Sequence, residues 1–388
     1  MNSSRSLLAI VSLGVVVFAA GCGDSSAETG GNGGNGGDAS QGGAPLGGGG
    51  AGGAEGCPVG SHDDGTGACV AELGAFTEGP KLTDERDHHM TWAAKKQSGT
   101  YLYAAGGHAD QESSVTTIER STIQADGSMG AWETLSTSDL VAGAVMVSTD
   151  DVVVIAGGYR TAPSTSSVDI MTIDDNGNLS DPADGPSMND ARFHGAGVLV
   201  DGWVYAAGGM ALSGSSLATV ERARLDGSEL QPWSYEADLP YEVSHHGLTT
   251  DGEALYLTGG LKRVNGDFEN DLNFDKVLRA RIADDGSLEA WEEIGTVPTA
   301  LSVHASFIHA GKIYLVGGLE PEGVFTKTVH RASISADGAL GEWETLDVAL
   351  PISRGHVHQN PMINGVIYSV GGFNVGGSQT RSFFARFE

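Results

Sequence analysis

The sequence predicts an all-β protein, folded as a six-bladed β-propeller that an N-terminal strand closes. Six glycine pairs recur along the chain, and each ends an apolar run rich in β-forming residues. The first glycines of successive pairs are 51, 51, 51, 58 and 54 residues apart, and a period near fifty is typical of propeller blades with four strands each. The pairs are Gly106-Gly107, Gly157-Gly158, Gly208-Gly209, Gly259-Gly260, Gly317-Gly318 and Gly371-Gly372.

The two ends of the chain together supply one complete sheet. Residues 384–388 match residues 222–226, after which the chain stops one strand short of a full repeat. Residues 74–77 align with residues 130–133, which lead into the outer strand of a repeat. We therefore expect the segment around Phe76 to form the missing outer strand, because that strand closes the ring and removes an open sheet edge.

Within the repeats, Asp-Gly and Asn-Gly pairs predict tight hairpin turns after the third strand, because glycine tolerates the positive φ that such turns need. These pairs end at Gly127, Gly177, Gly227, Gly286 and Gly338. A tryptophan follows most of the turns, at Trp132, Trp233, Trp291 and Trp343. The pattern therefore predicts a hairpin followed by a fourth strand.

Residues 1–21 have the features of an export signal. Arg5 precedes an apolar run over residues 7–20 that is short for a membrane span and ends in small residues. The end of that run, Ala19-Ala20-Gly21-Cys22, resembles the lipobox of bacterial lipoproteins. The resemblance implies that Cys22 is acylated and anchors the chain in a bacterial cell envelope, on an outer membrane and facing the periplasm or the surface. An ordinary cleaved signal is the alternative.

Residues 22–56 are expected to form a flexible tether, because a glycine-rich segment without large apolar side chains cannot offset its chain entropy. Residues 57–69 form a small turn-rich loop bounded by Cys57 and Cys69. An exported protein lets such a pair oxidise, so we expect a disulfide. Residues 70–388 are assigned to the propeller.

Composition excludes one class of partner. Lys and Arg number 21 against 50 Asp and Glu, which gives a formal charge of −29. Such a surface repels phosphate backbones, so nucleic acid is not expected as a partner. No phosphate-binding GxxxxGK[ST], HExxH or GxSxG motif is present, and the sequence predicts neither a cofactor nor a metal site.

The propeller residues resemble kelch repeats. The resemblance covers residues 73–388 and rests on the YxxGG-like end of the second strand, the tryptophan after it and the Arg or His that starts the next unit. Small residues such as Ser121, Ala223 and Ala332 stand where kelch repeats carry a third-strand tyrosine. The resemblance implies a kelch-type propeller, without transferring a particular kelch activity.

Two enzyme types share this architecture. Galactose-oxidase-like proteins need a cysteine crosslinked to tyrosine at their copper site, and the propeller region here contains no cysteine. Sialic-acid-mutarotase-like proteins are exported six-bladed kelch propellers. That resemblance implies an alternative function as a carbohydrate isomerase or epimerase, in which channel histidines would move protons and arginines would bind an anionic sugar.

We expect any site on the face that carries the loops after the glycine pairs, because these loops are long and irregular. Residues near the start of the innermost strands should gather on the same face, close to the central channel. The ligand-binding candidates are Arg86, His89, Arg192, His194, His246, His304, Arg354 and His356. A second hypothesis is that these residues only support the repeated structure. No catalytic residue is assigned.

The sequence thus favours a lipid-anchored envelope protein whose propeller binds a protein or carbohydrate ligand through the long-loop face. The carbohydrate isomerase is the alternative. A structural scaffold without a ligand is a third hypothesis.

Overall fold

The computed structural model describes residues 61–63, 69–109, 113–137, 142–159, 165–267, 269–357 and 359–388. The export signal, Cys22, the tether, Cys57 and His358 lie outside the described residues, so the expectations about them stay predictions. Among the described residues, no helix is long and apolar enough to cross a lipid bilayer.

Six antiparallel sheets form the blades of a propeller, and in each the strands follow one another outward from the axis. Blade 1 contains Met90–Lys96, Gly99–Ala105, Thr117–Ile123 and Glu133–Thr137. Blade 2 contains Val145–Ser148, Val152–Ala156, Val168–Thr172 and Ala183–Gly185. Blade 3 contains Ala196–Val200, Trp203–Ala207, Val220–Asp226 and Ser234–Tyr235, and Glu229–Leu230 also pairs with its third strand.

The second half of the propeller repeats this order. Blade 4 contains Gly247–Thr250, Ala254–Thr258, Lys276–Arg281 and Glu292–Thr296. Blade 5 contains Ala305–His309, Lys312–Glu320, Val324–Ser333 and Glu344–Thr345. Blade 6 contains Met362–Ile363, Val366–Val370, Ser382–Arg386 and the N-terminal strand Thr77–Glu78.

The N-terminal strand closes the ring, as the sequence predicts. Thr77 lies opposite Phe384 and Glu78 lies opposite Phe383 in an antiparallel pair. Phe76 packs against an apolar cluster that contains Phe383 and Phe387. The first described strand of the propeller therefore completes the sheet formed by the last.

Short two-stranded ribbons lie outside the six blade sheets. Four two-stranded ribbons join His62–Asp63 to Cys69–Val70, His108–Ala109 to Ser113–Ser114, Leu261–Lys262 to Leu272–Asn273, and Phe373–Asn374 to Gly377–Ser378. A 3-10 turn covers Pro321–Gly323. Cys57 lies outside the described residues, so the pairing of Cys57 with Cys69 stays a prediction.

The core lies between adjacent blades, because each sheet is apolar on both faces. Trp92 and Tyr103 of blade 1 stack with their rings 5.0 Å apart. They share one buried cluster with Ile155 and Met171 of blade 2. Burial of side chains of this size is the main stabilising contribution to the ring.

The hairpin turns after the third strands lock neighbouring blades together. Gly127, Gly177 and Gly286 adopt φ values of 80°, 73° and 79°, as predicted. The carbonyl of each glycine accepts a hydrogen bond from the hydroxyl of a buried tyrosine in the preceding blade. The donors are, in the same order, Tyr368, Tyr103 and Tyr205, at 2.8, 2.8 and 2.6 Å. These hydrogen bonds hold neighbouring blades together on the face opposite the long loops.

Candidate functional site

One residue of each blade reaches the propeller axis in a left-handed backbone conformation. Each lies shortly before the innermost strand of its blade and directly after a residue that bridges to the loop following the glycine pair of the same blade. The six residues are His88, Gly143, His194, His245, Val303 and His356, with φ of 49°, 62°, 53°, 55°, 50° and 58°. The propeller therefore presents six equivalent positions at one end of its channel.

These six residues hydrogen-bond to one another in a closed ring. Each backbone N–H donates to the carbonyl of the equivalent residue in the preceding blade, and the N–H of His88 donates to His356, which closes the circle. The six N···O distances are 3.2, 2.7, 2.7, 2.9, 2.8 and 2.9 Å. Because the ring uses only backbone atoms, it holds the side chains at these positions around a common axis.

Four of the six side chains are imidazoles, and they cluster. The ring centroid of His88 lies 4.0 Å from that of His356 and 4.4 Å from that of His194. The rings of His194 and His245 stack at 4.3 Å. His245 is buried, whereas the other three are half-buried. We call these four residues the axial histidine cluster.

Two of the imidazoles are held from behind by polar groups. Nδ1 of His88 lies 2.5 Å from Oδ1 of Asp87, and the hydroxyl of Ser378 donates to Oδ2 of the same carboxylate at 2.6 Å. Nδ1 of His245 lies 3.0 Å from the hydroxyl of Ser244. A carboxylate accepts only, so His88 carries its proton on Nδ1 and presents Nε2 as an acceptor when neutral.

The fourth imidazole is directly linked to the first. Nδ1 of His356 lies 2.5 Å from Nε2 of His88, so His356 is the donor of that contact. Asp87, His88 and His356 thus form a chain of hydrogen bonds that ends at the axis. Such a chain can orient an imidazole and strengthen it as a base or a ligand.

A second set of histidines has a different place. His89, His246 and His304 each come directly after one of the six axial residues. All three are buried, with at most 2 % of their surface exposed. A Cβ added at Gly107 would lie 2.8 Å from Cβ of His89, and one added at Gly371 would lie 2.7 Å from Cε1 of the same residue. His246 and His304 lie in the same way against the glycine pairs of two adjacent blades. Their geometry fits the structural hypothesis, because each one fills the space between two blades.

The predicted arginines also point into the protein. Nη1 of Arg86 donates to the carbonyls of Gly106 and Thr117 at 3.1 Å each, and Nη2 donates to Glu119 at 2.6 Å. Arg192 makes the equivalent bonds to Gly208, Thr219 and Glu221. Both guanidiniums are fully buried. They anchor the first glycine of a pair rather than face the channel.

Arg354 repeats this position without a carboxylate. It donates to the carbonyls of Gly371 and Arg381, and its guanidinium lies over the ring of Phe383, 4.5 Å from the centroid. Complete burial, with a smaller contribution from Arg381, lowers the pKa of Arg354 to about 9. This arginine too is inaccessible to a ligand.

The structure therefore divides the predicted site residues into two groups. It brings His194 and His356 together at the axis, and it places Arg86, Arg192, Arg354, His89, His246 and His304 inside the blades. The sequence reasoning missed His88, His245 and Asp87. In the pairs His88-His89 and His245-His246, the sequence reasoning chose the second histidine as the site residue. An alignment of the repeats on His194 and His356 indicates the first.

The loops that follow the glycine pairs surround the axial histidine cluster. Among the described residues, seven large hydrophobic side chains are exposed, and six of them belong to the loops or strand ends that follow the glycine pairs. The six are Tyr159, Leu212, Val264, Leu272, Val324 and Val375, and the seventh is Tyr235 on an outer strand. An apolar rim thus encloses a polar centre.

Aromatic side chains connect the rim to the centre. The rings of Phe193 and His194 lie 4.8 Å apart, and Phe193 contacts Tyr159 at 5.8 Å. On the other side, Phe325 and Phe373 lie 6.1 and 5.8 Å from His356. The face is therefore continuous from the axis to the loop tips.

Two of the loops have more structure than the sequence suggests. Residues 319–327, predicted as a loop, form the tip of a long hairpin in which Leu319 pairs with Phe325. In blade 4, Leu261–Lys262 pairs with Leu272–Asn273, and Arg263 forms an ion pair with Asp271 across this ribbon. Backbone pairing and the ion pair give these loops a defined shape for recognition.

No protein-family model matches the chain. The chain is 26 % identical over 141 residues to Kelch-like protein 40 of Xenopus tropicalis, which covers 36 % of this chain and 20 % of that protein. It is 27 % identical over 154 residues to Beta-scruin of Limulus polyphemus, with 37 % and 16 % covered. The matched part thus spans a fifth or less of the length of these relatives.

A solved structure shares the fold. The structure of YjhT superposes with a TM-score of 0.61 at 14 % sequence identity and covers 80 % of this chain and 99 % of that chain. The similarity shows a common architecture. Together with the kelch-like relatives, it supports a kelch-type propeller.

Proposed function

We propose that this protein is a lipid-anchored envelope protein whose propeller binds a partner through the long-loop face. The observation that carries the proposal is the distribution of exposed apolar side chains, six of which surround the axis on that one face. Apolar groups exposed together on loops of a rigid scaffold mark an interaction surface.

The apolar rim favours a protein as the partner. Leu212, Val264, Leu272 and Val375 expose between 52 % and 92 % of their surface, and aliphatic tips of this kind gain free energy only when another apolar surface covers them. The chain as a whole carries a formal charge of −29, whereas these four side chains are apolar. A carbohydrate would instead use aromatic and polar groups near the axis.

The N-terminal residues supply the anchor in this proposal. Acylated Cys22 would hold the chain at a membrane, and the glycine-rich residues 22–56 would let the propeller turn its loop face to a partner. Growth of cells with a radioactive fatty acid tests the anchor. Label should enter the protein and be absent from the Cys22→Ala variant, whereas equal labelling of both would contradict the anchor.

A triple variant of the rim tests the binding face. Leu212→Asn, Val264→Asn and Val375→Asn remove apolar tips from three blades and leave the backbone ribbons in place. The matched control is Tyr235→Asn, because Tyr235 is 54 % exposed but lies outside the loop face. Envelope proteins crosslinked to the wild-type chain should be identified, purified and titrated against all three forms.

We expect the triple variant to bind the purified partner at least about tenfold more weakly, and the Tyr235 variant to bind like the wild type. Equal loss in the control, or no loss in the triple variant, would contradict the proposed face. A partner that proves to be a glycan, detected on a glycan array, would replace the protein in the proposal.

The chain from Asp87 through His88 to His356 favours catalysis as a second candidate. An imidazole backed by a carboxylate can remove and return a proton, which is what sugar isomerisation or epimerisation requires. A panel of carboxylated sugars, followed by NMR for exchange between anomers or epimers, tests this. Turnover by the wild type and its loss in His88→Asn would support catalysis, and no turnover of any sugar would contradict it. His304→Ala is unsuitable for this test, because His304 is buried between blades.

A further inference from the structure

We propose that the axial histidine cluster binds a divalent transition metal ion through His88, His194 and His245. One ligand nitrogen from each of these imidazoles lies within 4.8 Å of those of the other two. The inference does not depend on the identity of a partner at the loop face, and its test measures the metal directly.

Three imidazoles in this arrangement suit a small ion of intermediate softness. A tetrahedral zinc ion with Zn–N bonds of about 2.0–2.1 Å places its ligand nitrogens about 3.4 Å apart. The imidazoles would turn about their side-chain torsions to bring nitrogens that lie within 4.8 Å of one another to that spacing. Imidazole ligands favour Zn²⁺, Cu²⁺, Ni²⁺ and Co²⁺ over Mg²⁺ and Ca²⁺, which prefer oxygen.

The groups behind the histidines match the requirements of a metal site. A ligating imidazole usually donates its other ring N–H to a carboxylate or a hydroxyl, which fixes its orientation and raises its basicity. Asp87 accepts from Nδ1 of His88 at 2.5 Å, and Ser378 in turn holds Asp87 at 2.6 Å. Ser244 contacts Nδ1 of His245 at 3.0 Å. In this proposal His88 and His245 ligate the ion through Nε2, and for His88 the ion takes the place of the contact between that nitrogen and Nδ1 of His356.

A second set of possible ligands overlaps the first. One oxygen of Asp87 and one nitrogen each of His88 and His356 also lie within 4.8 Å of one another. His88 belongs to both sets, so the two describe one region of the axis. A water molecule would complete the tetrahedron around an ion held by the first set.

The backbone ring makes the arrangement rigid before an ion arrives. Each of the three ligands is in the left-handed conformation and is fixed by hydrogen bonds to its neighbours in the ring. A site that is already ordered loses little entropy when it binds. His88 and His194 are only half-buried, and the formal charge of −29 attracts cations to the protein.

The test is a titration of the purified full chain, stripped with a chelator, with Zn²⁺ and with Co²⁺. The variants are His194→Asn and His245→Asn, singly and together, because asparagine tolerates the left-handed conformation better than other residues. His62→Ala is the matched control, since His62 is an exposed histidine far from the axial positions in sequence. Thermal unfolding of each form shows whether the variants remain folded.

We expect one Zn²⁺ per chain, and visible absorption from bound Co²⁺ with the intensity of tetrahedral coordination. The double variant should bind at least about a hundredfold more weakly and His62→Ala like the wild type, while Asp87→Asn should weaken binding about 10–100-fold without abolishing it. No stoichiometric binding by the wild type would overturn the proposal. So would a folded double variant that retains the wild-type affinity, or loss of the metal in His62→Ala.

Discussion

The amide nitrogen of His194 donates to the carbonyl of Gly143 at 2.7 Å, and the same two residues are in steric contact at the propeller axis. A Cβ added at Gly143 would lie 2.6 Å from Nδ1 of His194. Glycine at this position therefore leaves room for an imidazole of the next blade. The backbone ring and the axial histidine cluster therefore depend on the same residues.

Gly143→Ala should destabilise the protein and disturb the axial histidine cluster. The new methyl group would occupy a backbone with φ of 62° and displace the His194 imidazole. We expect a loss of about 2–4 kcal/mol in the free energy of unfolding, measured by denaturant titration. Zinc affinity should fall in parallel.

Gly227→Ala separates the cost of the positive φ from the cost of the steric contact with His194. Gly227 has a similar φ of 61°, but an added Cβ would meet no atom within 4 Å. This variant should lose only about 1 kcal/mol. If both variants lose the same free energy, the steric contact between residue 143 and His194 is unimportant.

Arg86→Leu should be among the most destabilising single changes. It leaves the carboxylate of Glu119 fully buried without its guanidinium partner, which costs about 3–5 kcal/mol. The double variant Arg86→Leu/Glu119→Leu should recover part of that loss, since blade 4 carries Val243 at the arginine position. Chemical denaturation of the two variants measures the difference. A double variant less stable than the single one would refute this account.

Arg354→Leu is the matched comparison. This guanidinium has an aromatic ring where Arg86 has a carboxylate, so its removal leaves no buried anion. We expect a smaller loss of unfolding free energy than for Arg86→Leu. Equal losses would show that the hydrogen bonds to backbone carbonyls, which both arginines make, dominate over the ion pair.

Tyr205→Phe should cost about 0.5–1.5 kcal/mol of unfolding free energy. The buried hydroxyl donates to the carbonyl of Gly286 in the next blade at 2.6 Å, and that carbonyl would lose its partner. Tyr235→Phe, on an exposed ring, should change stability by less than about 0.5 kcal/mol. Thermal and chemical unfolding of both variants check the difference, and equal values would show that this inter-blade bond contributes nothing.

Protonation of His330 should destabilise the fold in mild acid. Burial lowers the pKa of His330 below its ordinary value of 6.5, so below that pH the unfolded chain binds a proton that the folded chain does not. Stability from this residue is thus present above about pH 6.5 and is lost as the pH falls. The unfolding free energies of wild type and His330→Gln, measured at about pH 7.5 and about pH 5.5, should show a smaller acid loss in the variant. An equal or larger loss would contradict the shift.

The repeat pattern was sufficient to predict much of the fold. Glycine pairs marked the ends of the second strands, Asp-Gly pairs marked the hairpins, and the alignment of residues 74–77 identified the closing strand that pairs with Phe384. These features are visible because each depends on a local backbone requirement that the sequence repeats. The long hairpin of blade 5 was missed, because its tip carries loop residues such as Pro321 and Gly323.

The site was predicted only in part, for a physical reason. Proximity of Arg86 to the start of an inner strand suggested the channel, but its partner Glu119 lies 33 residues later, and no local pattern announces such a buried pair. Likewise, the sequence does not show which residue of His88-His89 has positive φ. Gly143 provides that signal, since glycine at the same repeat position indicates where the backbone turns.

Anomalous X-ray scattering at the zinc edge, from crystals grown with Zn²⁺, tests the central claim most directly. The account predicts one strong peak on the propeller axis, about 2.0–2.1 Å from nitrogens of His88, His194 and His245. An axis without a peak, or zinc bound only at acidic surface residues, would contradict it.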